Sequence, residues 1–180
     1  AGEEIKRVVP VINEIRKRGH SLHISIDTSK QKVAQAALEA GADIVNDISG
    51  LNFDPKMRDF CGANDVPVII MHIQGTPGTM QKKPEYDNIF TEISEYFDMS
   101  IEQALSKGVK REKIIIDPGI GFGKNLFHNL SLIKHLEVFQ SFELPVLAGL
   151  SRKSMIGLIT GRNEPSDRVA GTIALNMSVL

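Results

Sequence analysis

Apolar positions along the chain change their period several times, and each change marks an element. Ile5, Val8, Val9, Ile12 and Ile15 recur at helical spacing between Glu3 and Arg18. Pro10 falls inside that run and predicts a kink or an irregular turn, and Gly19 is placed to end it. From Leu22 to Asp27 the period drops to two, with Leu22, Ile24 and Ile26 on one face and His23, Ser25 and Asp27 on the other, the signature of a strand. An Ala-rich helix follows from Ser29 to Ala40 and closes at Gly41. Then come a strand from Asp43 to Ile48, a short helix opened by Asp54-Pro55, and an apolar strand from Val66 to Ile73 of the kind buried on both faces. A Gly/Pro loop over 75–84 leads to a long amphipathic helix from Asn88 to Lys107, a strand at Ile114–Asp117 and a glycine-rich loop over 118–125. A helix from Leu126 to Phe139, a strand from Pro145 to Leu150, a short helix over Ser154–Thr160 and a last helix over Ser166–Leu180 complete the pattern. Five β-like runs alternating with helices predict right-handed βαβ units and a parallel sheet.

Composition narrows the classes. The 180 residues show no break that marks a linker and read as one domain, 1–180. The 42% hydrophobic content excludes a disordered chain. A net charge of −1 argues against a nucleic-acid partner, which calls for a basic excess. A lone cysteine, Cys61, excludes an intramolecular disulfide framework or a cysteine-rich zinc fold. The longest nearly apolar stretch, Val66 to Met71, is far too short to span a membrane. The acidic opening Ala1-Gly2-Glu3-Glu4 is no secretory signal, so a cytoplasmic location is expected. The chain opens inside a helix and without Met, which points to a partial sequence.

The candidate chemistry collects at strand ends: Asp27, Asn46 with Asp47, His72, Asp117, and Ser151 with Lys153. Both a (β/α)8 barrel and a doubly wound sheet gather ligands at that edge. Each residue also has a plainer reading. Asp27 could cap the next helix, but Thr28 or Ser29 can do so and free it, and its strand face would be the lumen of a barrel. Asn46 and Asp47 interrupt an apolar strand; they either bond between strands or read the edge of a planar heterocycle. Asp117-Pro118-Gly119 is a turn signature, here ending a core strand. The loop Gly119-Ile120-Gly121-Phe122-Gly123-Lys124 is not a Walker loop, because Asn125 follows the lysine, and it is not a dinucleotide fingerprint. Its glycines let backbone approach a ligand, and Phe122 could stack on a ring. Arg152 and Lys153 sit before a helix, either as a solvated basic turn or facing an anion. His20, His23, His128 and His135 form no metal set, His72 alone is suggestively placed, and Cys61 reads as an ordinary small residue.

Taken together, Ile24-Ser25-Ile26-Asp27-Thr28, Ile44 to Gly50, Met71-His72 with Gly75-Thr76-Pro77 and Thr79-Met80-Gln81, Asp117 to Lys124 and Gly149 to Ser154 resemble the dihydropteroate synthases, pterin-binding enzymes of folate synthesis. The resemblance runs from the first helix to the last residue. It implies a TIM-type (β/α)8 barrel, of which about five strands and their helices are present here. It also implies a transferase that condenses 4-aminobenzoate with 6-hydroxymethyl-7,8-dihydropterin diphosphate and releases pyrophosphate with Mg²⁺. On that match Asp27, Asn46, Asp117, Lys153, Met71 and Gly121 would hold the pterin, while Phe122, Lys153 and Ser154 would meet the aminobenzoate. Asp27 and Lys153 would be the catalytic pair. No metal ligand is expected within these residues. Two strands before Glu3 and one after Leu180 would be absent, and with them the family's metal-binding asparagine and its diphosphate-gripping Arg-x-His. The family's sulfonamide sensitivity and dimeric assembly make a homodimer and a sulfonamide target the matching expectations. Three other readings compete: a methyltransferase passing a methyl group from methyltetrahydrofolate to a corrinoid protein, a non-catalytic, truncated pterin-binding module, and an unrelated phosphate-binding barrel, which would keep Lys153 but has no need of Asp27, Asn46 and Asp117 together.

Overall fold

The computed structural model describes residues 1–179. Its elements run α1 (Gly2–Lys17), β1 (Ser25–Asp27), α2 (Gln31–Glu39), β2 (Ile44–Asp47), α3 (Lys56–Ala63), β3 (Val68–Met71), α4 (Ile89–Ser106), β4 (Ile114–Asp117), α5 (Leu126–Lys134), α6 (Ser154–Thr160) and α7 (Val169–Ser178). Short 3-10 segments lie at Arg111–Lys113, Leu136–Phe142 and Pro165–Arg168. The chain divides into two compact units: Ala1–Met71 with Phe97–Ile116, and His72–Tyr96 with the residues from Asp117 onward.

The first unit is built on the sheet. Its strands lie side by side in sequence order, β1-β2-β3-β4. The β1–β2 and β2–β3 pairs are parallel, with Asp27 opposite Asn46 and Asp47 opposite Ile70. An order without reversal is that of a barrel; a doubly wound sheet reverses at its switch point. All four β3 residues are buried, as the continuous apolar run requires. Val33, Ala34 and Ala37 of α2, and Phe97, Ile101 and Ala104 of α4, supply the helical side of this core.

The second unit packs Ile120, Leu132, Phe139, Leu150, Met155 and Ile156 in its interior. Asn125 caps α5 in a reciprocal box: its side chain accepts the His128 N–H while the His128 ring reaches back to the Asn125 N–H.

Several expectations need correcting. Pro145–Leu150 does not form a strand; only Val146 makes an isolated bridge, so four strands rather than five are present among the described residues. The first strand is confined to Ser25–Asp27, and Leu22 is exposed. Side chains have taken the backbone groups that would extend it: Arg16 donates to the Leu22 carbonyl at 2.8 Å, and the Ile24 N–H donates to Asp43 Oδ2 at 2.7 Å. Pro10 does not interrupt α1. It lies on the exposed side, where water can take the carbonyl its missing N–H leaves free. The helix predicted to reach Phe139 ends at Lys134, with a 3-10 segment beyond His135. The last helix starts at Val169 rather than Ser166, and Leu180 lies outside the described residues.

Candidate functional site

In the first unit, the rim of the sheet carries a paired acid and amide. Asp27 ends β1 on its exposed side and accepts a 2.7 Å hydrogen bond from Asn46 Nδ2 across the parallel pair. Asp27 is free for this because other groups cap α2: Thr28 Oγ1 accepts the Lys30 N–H, and Asp54 accepts the Gln31 N–H. Asn46 Oδ1 is buried and, like Asp47 Oδ2, has no hydrogen-bond partner among the described residues. A buried acceptor left open costs about 1–3 kcal/mol, so this one is set to receive a donor. A cavity of about 240 Å³ adjoins Asp27, lined also by Glu4, Thr28, Ser29, Lys30 and Ile48. Asp47 has a different job. It is fully buried, and Oδ1 takes both the N–H and the hydroxyl of Ser49, which fixes the turn after β2. Burial pushes its pKa up against those two bonds. Met71 is buried at the end of β3.

In the second unit, the glycine loop is shaped around Asp117. Asp117 is buried, and its Oδ1 accepts the Gly119 N–H at 2.7 Å. Gly119 has φ +70, and a Cβ there would stand 1.9 Å from the His72 carbonyl oxygen, so no other residue fits. Three side chains tie down the rest of the loop. Asn129 accepts the Gly121 N–H at 2.7 Å, Gln81 donates to the Gly121 carbonyl at 2.6 Å, and Tyr86 donates to the Gly123 carbonyl at 2.8 Å.

Lys124 turns inward rather than to solvent. It is buried, with Nζ 2.9 Å from His72 Nδ1 and 3.0 Å from the Phe122 carbonyl. Burial draws its pKa down to about 7, with Asp117 acting against the shift and Lys153 adding to it. Burial, then the Lys124 charge, drives His72 down to about 2, so the imidazole is neutral and accepts from the ammonium.

Lys153 lies over the Phe122 ring, with Nζ 4.4 Å from the centroid, a cation–π arrangement. Burial lowers its pKa and Asp117 opposes the shift. A Cβ on Gly121 would come within 3.1 Å of Lys153 Cδ, so the side chain runs in a narrow slot. Ser154 opens α6 and is exposed. Arg152, just before Lys153, has φ 51, a left-handed conformation that costs a non-glycine residue about 1 kcal/mol.

Sequence reasoning singled out His72 and missed its partner. It read Lys124 only as a failed Walker lysine, and the apolar and glycine-rich flanks were the one available hint of burial. It also missed Gln81, Tyr86 and Asn129 as loop tethers. His128 serves the cap of α5, and His135 follows that helix. Cys61 is buried, and burial pushes its thiol up to about 12, so it is unreactive as a nucleophile in the folded state. Among the described residues no three His, Cys, Asp or Glu side chains are grouped to hold a metal ion.

The first unit thus carries an acid–amide pair on the rim of a parallel sheet, and the second an acid, a lysine and a phenyl group around a glycine loop, which defines the class as an α/β protein with its polar groups gathered at strand ends. The comparisons with known proteins fit that class. Residues 1–179 match the model of the pterin binding enzyme family, and the chain belongs to that family. It is 44% identical over 172 residues to the dihydropteroate synthase of Escherichia coli K12, an overlap covering 96% of this chain and 60% of the relative. Among solved structures, it superposes at TM-score 0.95 and 40% identity on the Yersinia pestis dihydropteroate synthase with a sulfonamide drug complex, covering 99% of this chain and 64% of that one. The Xanthomonas albilineans dihydropteroate synthase in complex with 7,8-dihydropteroate gives 0.91 and 38%, again over 99% of this chain and 64% of that one. The chain thus spans about 60% of the length of the Escherichia coli relative.

Proposed function

We propose that these residues form the pterin-binding part of a dihydropteroate synthase, a transferase that joins 4-aminobenzoate to 6-hydroxymethyl-7,8-dihydropterin diphosphate with loss of pyrophosphate. The structural observation that carries the reading is Asn46 Oδ1, a buried acceptor without a donor among the described residues, beside the Asp27 carboxylate. A pterin edge of ring N–H and amino groups supplies such donors. Further support comes from the relatives seen with 7,8-dihydropteroate and with 4-aminobenzoic acid.

In this reading Asp27, Asn46, Met71, Asp117, Gly121 and Lys153 bind the pterin, and Phe122, Lys153 and Ser154 bind the aminobenzoate. The aromatic amine is a modest nucleophile, so departure of pyrophosphate does much of the work and positive charge develops on the pterin methylene. Carboxylates at Asp27 and Asp117 stabilise that charge, and holding the amine in line contributes the rest. Lys153 reaches the pterin from its place over the Phe122 ring. No side-chain nucleophile is needed. Mg²⁺ accompanies the diphosphate in this reading, but the described residues offer it no acidic or imidazole set.

Residues 1–180 are read as one pterin-binding domain, in part. A homodimer is proposed on the apolar stripe Val169, Ile173 and Met177, exposed along α7. A cytoplasmic location is proposed; no described helix is long and apolar enough to cross a membrane. The test is pyrophosphate release by the full-length protein, with and without 4-aminobenzoate, beside Asp117→Asn. Release that needs 4-aminobenzoate and collapses in the variant is the expected result. A folded protein that neither binds 6-hydroxymethylpterin nor releases pyrophosphate would overturn the proposal.

A further inference from the structure

We propose that Thr172 and Arg168 are positioning residues for Lys153: they hold both backbone polar groups of Arg152 and so fix the direction in which the Lys153 side chain leaves the turn. The inference rests on the reading of Lys153 as a pterin-contacting residue and adds to it how that residue is aimed.

The turn Leu150-Ser151-Arg152-Lys153 has Arg152 at its third position with φ 51, where glycine or asparagine is the usual occupant. A larger residue persists there only when its surroundings over-determine the conformation. Here they do. The Arg152 N–H donates to Thr172 Oγ1 at 2.9 Å, and the Arg152 carbonyl accepts from Arg168 Nη1 at 3.1 Å. The same guanidinium donates from Nε to the Arg162 carbonyl at 3.0 Å and from Nη2 to the Asn163 carbonyl. Thr172 in turn donates its hydroxyl proton to the Arg168 carbonyl at 2.9 Å, so the two tethers are linked. Gly157 makes room for the clamp: a Cβ there would stand 2.9 Å from Arg168 Nε.

The clamp matters because of what comes next in the chain. Lys153 must thread a slot in which a Cβ at Gly121 would be 3.1 Å from its Cδ, and must end 4.4 Å above the Phe122 ring. The side chain passes beside the Gly121 backbone, which has no Cβ to crowd it, and a change of φ or ψ at Arg152 moves it as a whole. Neither Thr172 nor Arg168 needs to touch the ligand to govern it.

The experiment compares Thr172→Val, which keeps the shape and loses both hydrogen bonds, with Thr172→Ser, which keeps the hydroxyl. Two quantities are read in the full-length protein: exchange of the Arg152 amide by NMR, and calorimetric affinity for 6-hydroxymethylpterin. The expected result is an Arg152 amide that exchanges about tenfold faster, and a pterin dissociation constant raised about tenfold, in Thr172→Val, with Thr172→Ser near wild type in both. In a Lys153→Met background Thr172→Val has no further effect on affinity, because the residue it acts through is gone. A Thr172→Val chain that binds as wild type does, or one that weakens binding equally with Lys153 absent, would overturn the proposal. If the wild-type protein does not bind 6-hydroxymethylpterin at all, the functional reading fails. Amide exchange then decides the clamp alone: unaltered exchange in Thr172→Val overturns it, and faster exchange rescued by serine supports it.

Discussion

The two units hold their polar groups by different means. In the first, Asp27 and Asn46 stand opposite each other because β1 and β2 pair in parallel register, and one side-chain hydrogen bond completes the arrangement. In the second, Asp117, Phe122 and Lys153 depend on a loop and a turn with left-handed backbone at Gly119, Gly121, Gly123 and Arg152. That backbone is fixed by side chains reaching its amides and carbonyls: Asn129, Gln81, Tyr86 and Lys124 on the loop, Thr172 and Arg168 on the turn. A sheet distributes positional control over many equivalent bonds. A tethered loop concentrates it in a few named ones, so single substitutions should act more sharply in the second unit.

The largest effect expected is at Gly119. Gly119→Ala places a methyl group 1.9 Å from the His72 carbonyl oxygen at φ +70, and urea unfolding of the full-length protein should show a loss of about 4 kcal/mol or more. Gly78→Ala, with nothing within 4 Å of the new methyl, should change stability by less than about 0.5 kcal/mol. A tolerated Gly119→Ala would break the contrast at its root. Next is ligand affinity. Asp117→Asn should weaken 6-hydroxymethylpterin binding about a hundredfold and Asp27→Asn about tenfold, because Asp117 is buried and Asp27 exposed. Calorimetry giving the reverse order would mean that the sheet rim, not the tethered loop, dominates recognition.

The third prediction concerns pH. Lys124 sheds its proton near pH 7 when folded and keeps it to about 10.5 when unfolded. Between those values the unfolded chain binds more protons, so this group makes stability rise with pH by about 1 kcal/mol per unit. Below pH 7 its destabilising burial is present in full. Denaturant titrations from pH 6 to 10 should show the slope in wild type and its reduction in Lys124→Met; parallel curves would show that the lysine is solvated. The most local effect is that of Gln81→Ala. It removes one 2.6 Å tether from the Gly121 carbonyl and should cost about 1 kcal/mol, seen as faster amide exchange confined to the glycine loop.

The parts legible in the sequence were those set by local pattern. The end of the period-two run, Ser25–Asp27, forms a half-buried strand, and the middle of the Val66–Ile73 apolar run forms the fully buried β3; neither signal needs knowledge of distant neighbours. The polar strand ends followed from their place at the close of such runs. Pro145–Leu150 carries much the same local signal yet forms only a bridge at Val146, because a strand needs pairing partners that its own residues do not encode. Lys124 was illegible for a related reason. Its inward course depends on His72, 52 residues away in sequence, and a lysine after a glycine loop ordinarily reads as a solvated charge. Arg168 and Thr172 likewise look like surface helix residues until the Arg152 turn is seen against them.

Cys61 is the chain's one thiol, sealed in the first unit with its proton held up to about 12. A thiol reagent added at neutral pH can therefore modify the folded protein only through an opening of the α3 region, and the rate of that modification is a clock for how often the opening occurs. The protein thus carries its own reporter of local breathing at α3, in a place where no engineered label is required. Read with and without a pterin, that clock would tell whether a ligand quiets motion at α3.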